Sequence, residues 1–218
     1  MSALTLVIGN RNYSSWSLRA WLVMKKSGLP FEVRLLSLQA STFDAAIDEY
    51  SPSGRVPVLW VGQEPVWDSL AICEYLNERV EGALWPADAM ARAHARAITA
   101  EMHAGFATLR ERLPMNCRAE GRRVEIDGEL GREIARIETI WREAAERHGS
   151  DGGWLYGDFS IADAFYAPVA SRFRTYGIPV GEAARRYMEH LLADEDVGLW
   201  YRQARAEEEV LEEEEVGL

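Results

Sequence analysis

The chain of 218 residues contains little cysteine and no long apolar run. Its two cysteines, Cys73 and Cys117, are too few for a disulfide framework and lack metal-site spacing, so we expect a reducing, cytoplasmic setting and no bound metal. No apolar segment reaches the roughly 20 residues of a membrane span. The N-terminus has no positively charged, apolar leader with a cleavage site. These absences argue against a membrane protein and a signal peptide.

The chain also has fewer basic than acidic residues, 24 Lys and Arg against 35 Asp and Glu, which gives a formal net charge of −11. Residues 207–218 hold seven Glu and no Lys or Arg, which leaves a balance of −4 for the rest of the chain. A charge of this sign disfavours a nucleic-acid backbone or an anionic membrane as partner. Such a Glu-rich run is typical of a solvated, fraying end. We expect Ala204–Leu211 to continue the last helix at most.

Near residues 80–90 the sequence pattern changes. Before this point the order of apolar runs predicts β-α-β-α-β-β-α, which favours a four-stranded mixed sheet of thioredoxin type over residues 1–80. We expect a linker at 81–90 and an all-helical domain with the acidic tail at 91–218. The segments with helical periodicity lie near 88–113, 128–148, 161–176, 182–193 and 195–209.

Pro57 lies near the start of the third predicted strand, where a proline cannot donate to a sheet ladder. One interpretation is an ordinary strand-start proline, since few X–Pro bonds are cis. The other is a cis proline of the thioredoxin type, which presents the preceding backbone of Val56 to a peptide-like ligand. The residues alone leave both interpretations open.

Two short polar motifs precede predicted helices. Asp68-Ser69 is interpreted first as a helix cap, but a helix N-terminus with a hydroxyl is also an anion site, and a carboxylate beside it suits an ammonium group. Ser14 and Ser15 are likewise either caps or donors that would stabilise a ligand thiolate at the start of the first helix. Adjacent Tyr13 is a rival donor.

Four motifs in one order resemble the cytosolic glutathione S-transferase family, with its zeta class nearest. They are Ser14-Ser15-Trp16-Ser17-Leu18-Arg19, Ser51-Pro52-Ser53-Gly54-Arg55-Val56-Pro57-Val58-Leu59, Trp67-Asp68-Ser69-Leu70-Ala71-Ile72-Cys73-Glu74-Tyr75-Leu76 and Gly157-Asp158-Phe159-Ser160-Ile161-Ala162-Asp163. The last motif also predicts a capping box, in which Ser160 caps a helix and Asp163 returns a bond.

The resemblance implies glutathione as co-substrate, a small electrophile as second substrate and a homodimer. Ser14 matches the family's catalytic serine, which favours the glutathione thiolate, and Ser15 is its substitute. The residues that the resemblance places at glutathione are Trp16, Gln39, Arg55, Val56, Pro57, Asp68 and Ser69. In that set Val56 would pair with the cysteinyl part, Asp68 with the ammonium and Ser69 with the carboxylate of the γ-glutamyl group.

The second-substrate pocket is expected beside a long helix near 95–113. Met102, Phe106 and Leu109 form a stripe at i, i+4 and i+7, a pattern more typical of core than of a ligand wall. His103 and Arg110 on the same predicted helix could reach the cleft. Arg172 and Arg174 lie where the zeta class places a cation for a dicarboxylate substrate.

These features predict a serine-type glutathione transferase with a detoxification-type conjugating activity. One alternative is a zeta-type glutathione-dependent cis–trans isomerase acting on a substrate like maleylacetoacetate or maleylpyruvate. Two departures weaken that alternative, because the alignment slips by one or two residues at Arg172 and Arg174 and because Ala107 stands where the class has a glutamine. Trp16 also replaces the cysteine of the zeta motif, which makes the pocket bulkier. A second alternative is a non-catalytic glutathione-binding stress protein.

Overall fold

The computed structural model describes residues 3–149 and 152–217. The strands are β1 (Leu4–Gly9), β2 (Glu32–Leu36), β3 (Val58–Val61) and β4 (Glu64–Val66). The helices are α1 (Ser15–Ser27), α2 (Ala40–Tyr50), α3 (Ser69–Arg79), α4 (Ala89–Ala104), α5 (Ala107–Arg112), α6 (Gly128–His148), α7 (Ile161–Thr175), α8 (Glu182–Leu192) and α9 (Glu195–Ala206). In the described ranges, no helix is long and apolar enough to cross a membrane.

The four strands form one mixed sheet in the order β2-β1-β3-β4. β1 pairs in parallel with β2 and antiparallel with β3, and β4 completes an antiparallel hairpin. β1 is central because its apolar side chains are buried almost without interruption, whereas β4 carries Pro65 at the edge, where a missing donor costs nothing. The predicted βαβαββα thioredoxin-like sheet with a helical region after it is confirmed.

α7 is buried along nearly its whole length and packs against α1 and α4. It begins with the predicted capping box, in which the Ser160 N–H donates to Asp163 Oδ2 over 2.8 Å. The Tyr187 hydroxyl donates to the other oxygen of the carboxylate over 2.9 Å, and burial raises the pKa of Asp163 to about 6. α7 therefore holds α1 against the sheet from the helical side.

The single helix predicted near 88–113 is wrong, because α4 ends at Ala104 and α5 begins at Ala107. At Gly105 an added Cβ would lie 2.8 Å from the carbonyl oxygen of Glu101, so only glycine fits this helix end. Phe106 follows with a left-handed φ of 56°. The predicted stripe thus spans two helices, and Arg110 leaves the helix that carries His103.

The acidic tail, defined here as residues 207–217, is not the solvated end predicted from its composition. α9 stops at Ala206, and the chain turns back toward the residues that follow β1. The Arg11 N–H donates to Glu207 Oε2 over 2.8 Å, and the Tyr13 hydroxyl donates to Glu215 Oε1 over 2.6 Å. The tail folds because Arg11, Arg118 and Arg122 offer its oxygen atoms charged donors.

Candidate active site

A turn from Asn10 to Tyr13 carries the chain from β1 into α1. The Asn10 side-chain oxygen accepts the N–H groups of Asn12 and Tyr13 over 2.8 and 3.3 Å, which fixes the turn. Ser14 stands at the N-cap position but makes no side-chain cap; its hydroxyl donates to Ser17 Oγ over 2.7 Å. Ser14 is therefore buried at the end of β1 with its proton directed into the protein.

Ser15 contacts a residue from the other side of the fold. Its Oγ accepts a hydrogen bond from Arg172 Nη2 over 3.2 Å, while Arg172 Nε donates to the Leu113 carbonyl over 2.7 Å. Burial lowers the pKa of Arg172 to about 10, so the guanidinium remains charged at neutral pH. Two residues predicted separately from the sequence thus lie in direct contact.

Tyr13, the alternative hydrogen-bond donor, forms its hydrogen bond with the acidic tail. Its hydroxyl donates to Glu215 and accepts from Arg118 Nη2 over 3.0 Å. Burial, followed by the bond to Glu215, raises the pKa of Tyr13 above its ordinary value. This side chain therefore has both its donor and its acceptor engaged away from the cleft.

Asp68 caps α3. Its Oδ1 accepts the N–H groups of Leu70 and Ala71 over 3.0 and 3.2 Å, which confirms the capping interpretation. The next side chain differs, because Ser69 Oγ is buried and has no hydrogen-bond partner within the described residues. A buried hydroxyl without a partner costs free energy, so this atom at a helix N-terminus is suited to a ligand oxygen.

A cavity of about 400 Å³ opens in front of this helix end. Its lining residues are Trp16, Ser53, Arg55, Val56, Pro57, Trp67, Asp68, Ser69 and His103. The Val56–Pro57 peptide bond is cis, which settles the question left open by the sequence. The structure thus gathers six of the seven residues predicted at glutathione and adds Ser53 and Trp67, which the sequence analysis did not assign.

His103 of α4 closes the helical side of the cavity. Its Nε2 lies 2.8 Å from Asp68 Oδ2, and because an ionised carboxylate only accepts, Nε2 carries the proton. The imidazole also meets the edge of Trp16, with ring centroids 5.5 Å apart. Its Nδ1 is buried without a hydrogen-bond partner in the described part of the chain. His103 therefore joins the two sides of the cleft.

Other predicted residues lie outside this cavity. Gln39 begins α2, and its N–H donates to Glu209 of the tail over 3.1 Å. Met102 and Phe106 are buried in the core. Arg174 points away from Arg172 and stacks on Tyr201, with its guanidinium carbon 4.1 Å from the ring centroid. Their roles in binding remain predictions.

A larger open cavity of about 910 Å³ lies between the linker and the N-terminal end of α4. Arg92 and Arg96 line it together with Glu81, Asp88 and Asp158, so its charges are mixed. Its lining includes neither Ser14 nor any of the predicted binding residues. The smaller cavity is the better candidate because the capped helix end, the unpartnered hydroxyl and the aromatic wall converge there.

Neither cysteine contributes to a site. Cys73 and Cys117 are both fully buried, and burial raises the pKa of each thiol, to about 11 for Cys117. Within residues 3–149 and 152–217, no three His, Cys, Asp or Glu side chains lie close enough to hold a metal ion. The chemistry of the cavity therefore depends on hydroxyl, carboxylate, imidazole and guanidinium groups.

The family model for the glutathione S-transferase N-terminal domain matches residues 13–79, which include the cavity wall from Trp16 to Ser69. Over residues 13–79 the chain is therefore similar to glutathione S-transferase N-terminal domains. Its sheet, its cis proline and the helical region after the sheet together form the glutathione transferase fold.

Three relatives illustrate the similarity. A Caenorhabditis elegans protein named "Probable maleylacetoacetate isomerase" is 33% identical over 100 residues, which cover 45% of this chain and 46% of that protein. A Burkholderia GL BGR1 glutathione transferase homolog with bound glutathione is 29% identical with a TM-score of 0.68, covering 94% of this chain and all of that one. Maleylacetoacetate isomerase from Anaeromyxobacter dehalogenans 2CP-1, with bound glutathione, is 27% identical with a TM-score of 0.63, over 95% of this chain and 99% of that one. The chain spans about half the length of the curated relatives that it matches.

One buried residue belongs to a motif of the sequence, but the sequence pattern assigned it no role. Arg19 closes the Ser14–Arg19 motif, yet its position on the buried face of α1 is unusual for an arginine. The helical spacing of Leu18, Trp21 and Leu22 around it already indicated that this face is buried. That spacing is the signal that could have identified Arg19.

Proposed function

We propose that this protein is a glutathione transferase that binds glutathione in the 400 Å³ cavity and presents its thiolate to a small electrophile. The observation that carries the proposal is the pair at the start of α3. Ser69 Oγ is buried and unpartnered, and the Asp68 carboxylate stands beside it. A hydroxyl at a helix N-terminus next to a carboxylate suits a zwitterionic α-amino acid, which is the head of the γ-glutamyl group.

The remaining contacts follow from this orientation. The sheet ladder begins at Val58, so the backbone of Val56 is available to pair with the cysteinyl part of the ligand. The ligand ammonium would share the Asp68 oxygen now bound to His103. Arg55 is exposed at the rim, where its charge suits the glycyl carboxylate. Two solved structures of similar proteins contain bound glutathione, which supports this choice of ligand.

In the proposed reaction the thiol proton leaves to solvent, and a serine hydroxyl donates a hydrogen bond to the resulting thiolate. The sulfur then forms a bond to an electrophilic carbon, and the leaving group departs with the electrons of the broken bond. Ser14 is the first candidate and must turn its hydroxyl from Ser17 toward the sulfur. Ser15 is the second, since it accepts from Arg172 and keeps its own proton to donate.

The binding step is tested by calorimetric titration of glutathione into Ser69→Ala. We expect affinity to fall about tenfold or more, because the ligand carboxylate loses a buried donor. Ser27→Ala is the matched control, since Ser27 lies on α1 and donates only to the Met24 carbonyl. Unchanged affinity in Ser69→Ala would place the ligand head group elsewhere.

The chemical step is tested with a chloro-nitroaromatic and an isothiocyanate as electrophiles. Ser14→Ala should lower turnover by about 10² or more, as expected for loss of a transition-state donor. A large loss in Ser15→Ala alone would assign the role to Ser15. Unchanged turnover in both variants contradicts a serine mechanism. Glutathione binding without turnover of any electrophile would favour the non-catalytic alternative.

A second candidate is a zeta-type isomerase, in which glutathione adds to a cis double bond and leaves after rotation. It is favoured by the cations near α1, because Arg172 touches Ser15 and Arg110 lies over Trp16 with 5.5 Å between its guanidinium carbon and the ring centroid. Such charges suit a dicarboxylate. Glutathione-dependent isomerisation of maleylacetone or maleylpyruvate, without a conjugated product, would support this candidate over the conjugating enzyme.

We further propose separate roles for the two parts of the chain, and a homodimeric assembly. The sheet and α1–α3 bind glutathione, and the helices from α4 onward supply the second-substrate wall. The proposed assembly is a homodimer that packs the sheet side of one subunit against the helical side of the other. Light scattering coupled to gel filtration should give twice the mass of 24.6 kDa, and a monomer at micromolar concentration would contradict the assembly.

A further inference from the structure

Arg19 is the most unusual buried charge among the described residues. Its side chain has 0% exposure, and Nε, Nη1 and Nη2 all lack a hydrogen-bond partner within the part of the chain that the structure describes. A buried guanidinium normally has its five donors paired, because leaving them unpaired costs several kcal/mol. The fold therefore bears a cost at this position that packing alone does not explain.

Two aromatic rings enclose the guanidinium. Its carbon lies 4.1 Å from the ring centroid of Trp16 and 4.9 Å from that of Phe165. The attraction of a cation to a ring face offsets part of the desolvation but supplies no hydrogen-bond acceptor. Burial, with the charges of Arg172 and Arg110, lowers the pKa of Arg19 to about 9. Arg19 is thus a cation at neutral pH directly behind Trp16, which lines the cavity.

Among the described residues, no element packed against Arg19 neutralises its charge. Arg172 on α7 and Arg110 on α5 add positive charge, while Cys73 on α3 and Tyr166 on α7 stay neutral because burial raises the pKa of both groups. The His103 side chain on α4 is bound to Asp68. Within residues 3–149 and 152–217, Arg19 forms no ion pair. The Trp16 end of the cavity therefore has an uncompensated positive potential.

We propose that Arg19 supplies the positive potential that stabilises the glutathione thiolate at the Trp16 end of the cavity, as a positioning residue that acts through the indole rather than by contact. This inference rests on the proposed function. It follows because a buried cation without a counter-ion is satisfied when an anion binds nearby, and the thiolate is the anion that the reaction forms there. Dissociation of the thiol proton to solvent leaves the sulfur negative, and the attraction across the ring favours that state.

The test is a pH titration of the thiolate ultraviolet absorbance of glutathione bound to the protein. Neither protein thiol interferes, because Cys73 and Cys117 are buried and their pKa values are raised. Loss of one charge several ångströms from the sulfur should raise the midpoint by about one unit in Arg19→Met, a tenfold loss of thiolate. Arg19→Lys should restore most of the shift. Arg34→Met is the control, because Arg34 also lies 4.9 Å from an aromatic ring centroid, that of Tyr50, but away from the cavity.

Binding of S-methylglutathione, which has no titrating thiol, distinguishes a failure of the role proposed for Arg19 from a failure of the proposed glutathione site. Arg19→Met should bind it with unchanged affinity, so that only the thiolate midpoint moves. A wild-type midpoint in Arg19→Met, with the analogue bound, overturns the role of Arg19 and leaves the proposed function intact. Failure of the wild-type protein to bind glutathione or the analogue overturns the proposed function itself. If Arg19→Met does not fold, Arg19→Gln is a second neutral variant and gives the same decision.

Discussion

Two clusters of three arginines lie near the segment that joins β1 to α1, or near α1 itself. The tail cluster consists of Arg11, Arg118 and Arg122, and each of them donates to oxygen atoms of residues 207–217. The α1 cluster consists of Arg19, Arg110 and Arg172, and none of them forms an ion pair within the described residues. Arg110 and Arg172 donate to backbone carbonyls and to Ser15, while Arg19 donates to nothing described.

The two clusters differ in whether their charges have partners, and this indicates which charges stabilise the fold and which serve the ligand. A paired, half-buried charge contributes to folding because each partner satisfies the other, whereas an unpaired buried charge costs free energy and is retained where a ligand uses it. The tail cluster is therefore expected to stabilise the fold. In the α1 cluster, Arg19 is the member without a partner among the described residues, so it is expected to destabilise the fold and to serve the cavity.

The largest effect is expected when Glu215 is removed. Glu215→Ala leaves the Tyr13 hydroxyl, the Asn116 amide and the Arg122 guanidinium without their shared acceptor. The free energy of unfolding should fall by about 2–3 kcal/mol. Guanidinium denaturation measures this against Glu213→Ala, an exposed residue of the 3₁₀ turn Glu212–Glu214 that directly precedes Glu215. Equal stability of the two variants would show that the tail cluster does not brace the fold.

The pH dependence of unfolding tests whether Glu215 stabilises the fold through its negative charge. Burial alone would raise the pKa of Glu215, but the bonds from Tyr13 and Asn116 and the charge of Arg122 hold it below its ordinary value of 4.5. A carboxyl with a lowered pKa stabilises the fold above that value and loses its contribution as the pH falls through the folded pKa. The stability difference between the wild type and Glu215→Gln should therefore narrow below about pH 4.5. A difference that stays constant into acid would contradict the ionic pairing.

Arg19→Met should change stability in the opposite direction. Replacing an unpaired buried charge by an apolar side chain of similar length should raise the free energy of unfolding by about 1 kcal/mol, after loss of the ring contacts. Thermal unfolding checks the sign. A destabilisation comparable with that of Glu215→Ala would mean that the aromatic sandwich is a stabilising site and that the two clusters do not differ.

The smallest effect is expected at Glu214, a tail residue that interacts electrostatically with Arg172 of the α1 cluster. Burial raises its pKa, and the charge of Arg172 only partly opposes this. An acid with a raised folded pKa is less favourable in its charged form, so stability attributable to it falls as the pH rises through its titration. Glu214→Gln should therefore change the free energy of unfolding at neutral pH by no more than about 0.5 kcal/mol, with a stabilising sign. A large loss would make Glu214 a true partner of Arg172.

Local patterns predicted most of the fold. The range 128–148 matches α6 because Asp127 caps it and its apolar residues keep a helical period. The capping box at Ser160 was predictable for the same local reason. The break after Ala104 was missed because its main signal was one glycine, whose constraint is a carbonyl four residues earlier. The helix cap at Asp68 was predictable from its local sequence, whereas the residues around Pro57 left its isomer open.

Features that depend on distant residues could not be predicted. The partners of the tail lie almost a chain length away, so the composition of the Glu run suggested a solvated end. The bond between His103 and Asp68 depends on how α4 packs across the cleft, which no spacing within either segment records. The isolation of Arg19 depends on three other elements. Long-range charge pairing is therefore the part of this molecule that sequence patterns describe least.

The contact between Tyr13 and Glu215 has a consequence for synthesis of the chain. The two residues are 202 positions apart, and Glu207 pairs with Arg11 across 196 positions. Contacts of such separation form late, because the loop that they close must first be ordered. The turn before α1 is translated first, yet it obtains its counter-charges only when residue 215 has left the ribosome. The folding of this turn is therefore completed only after the helical region has been translated.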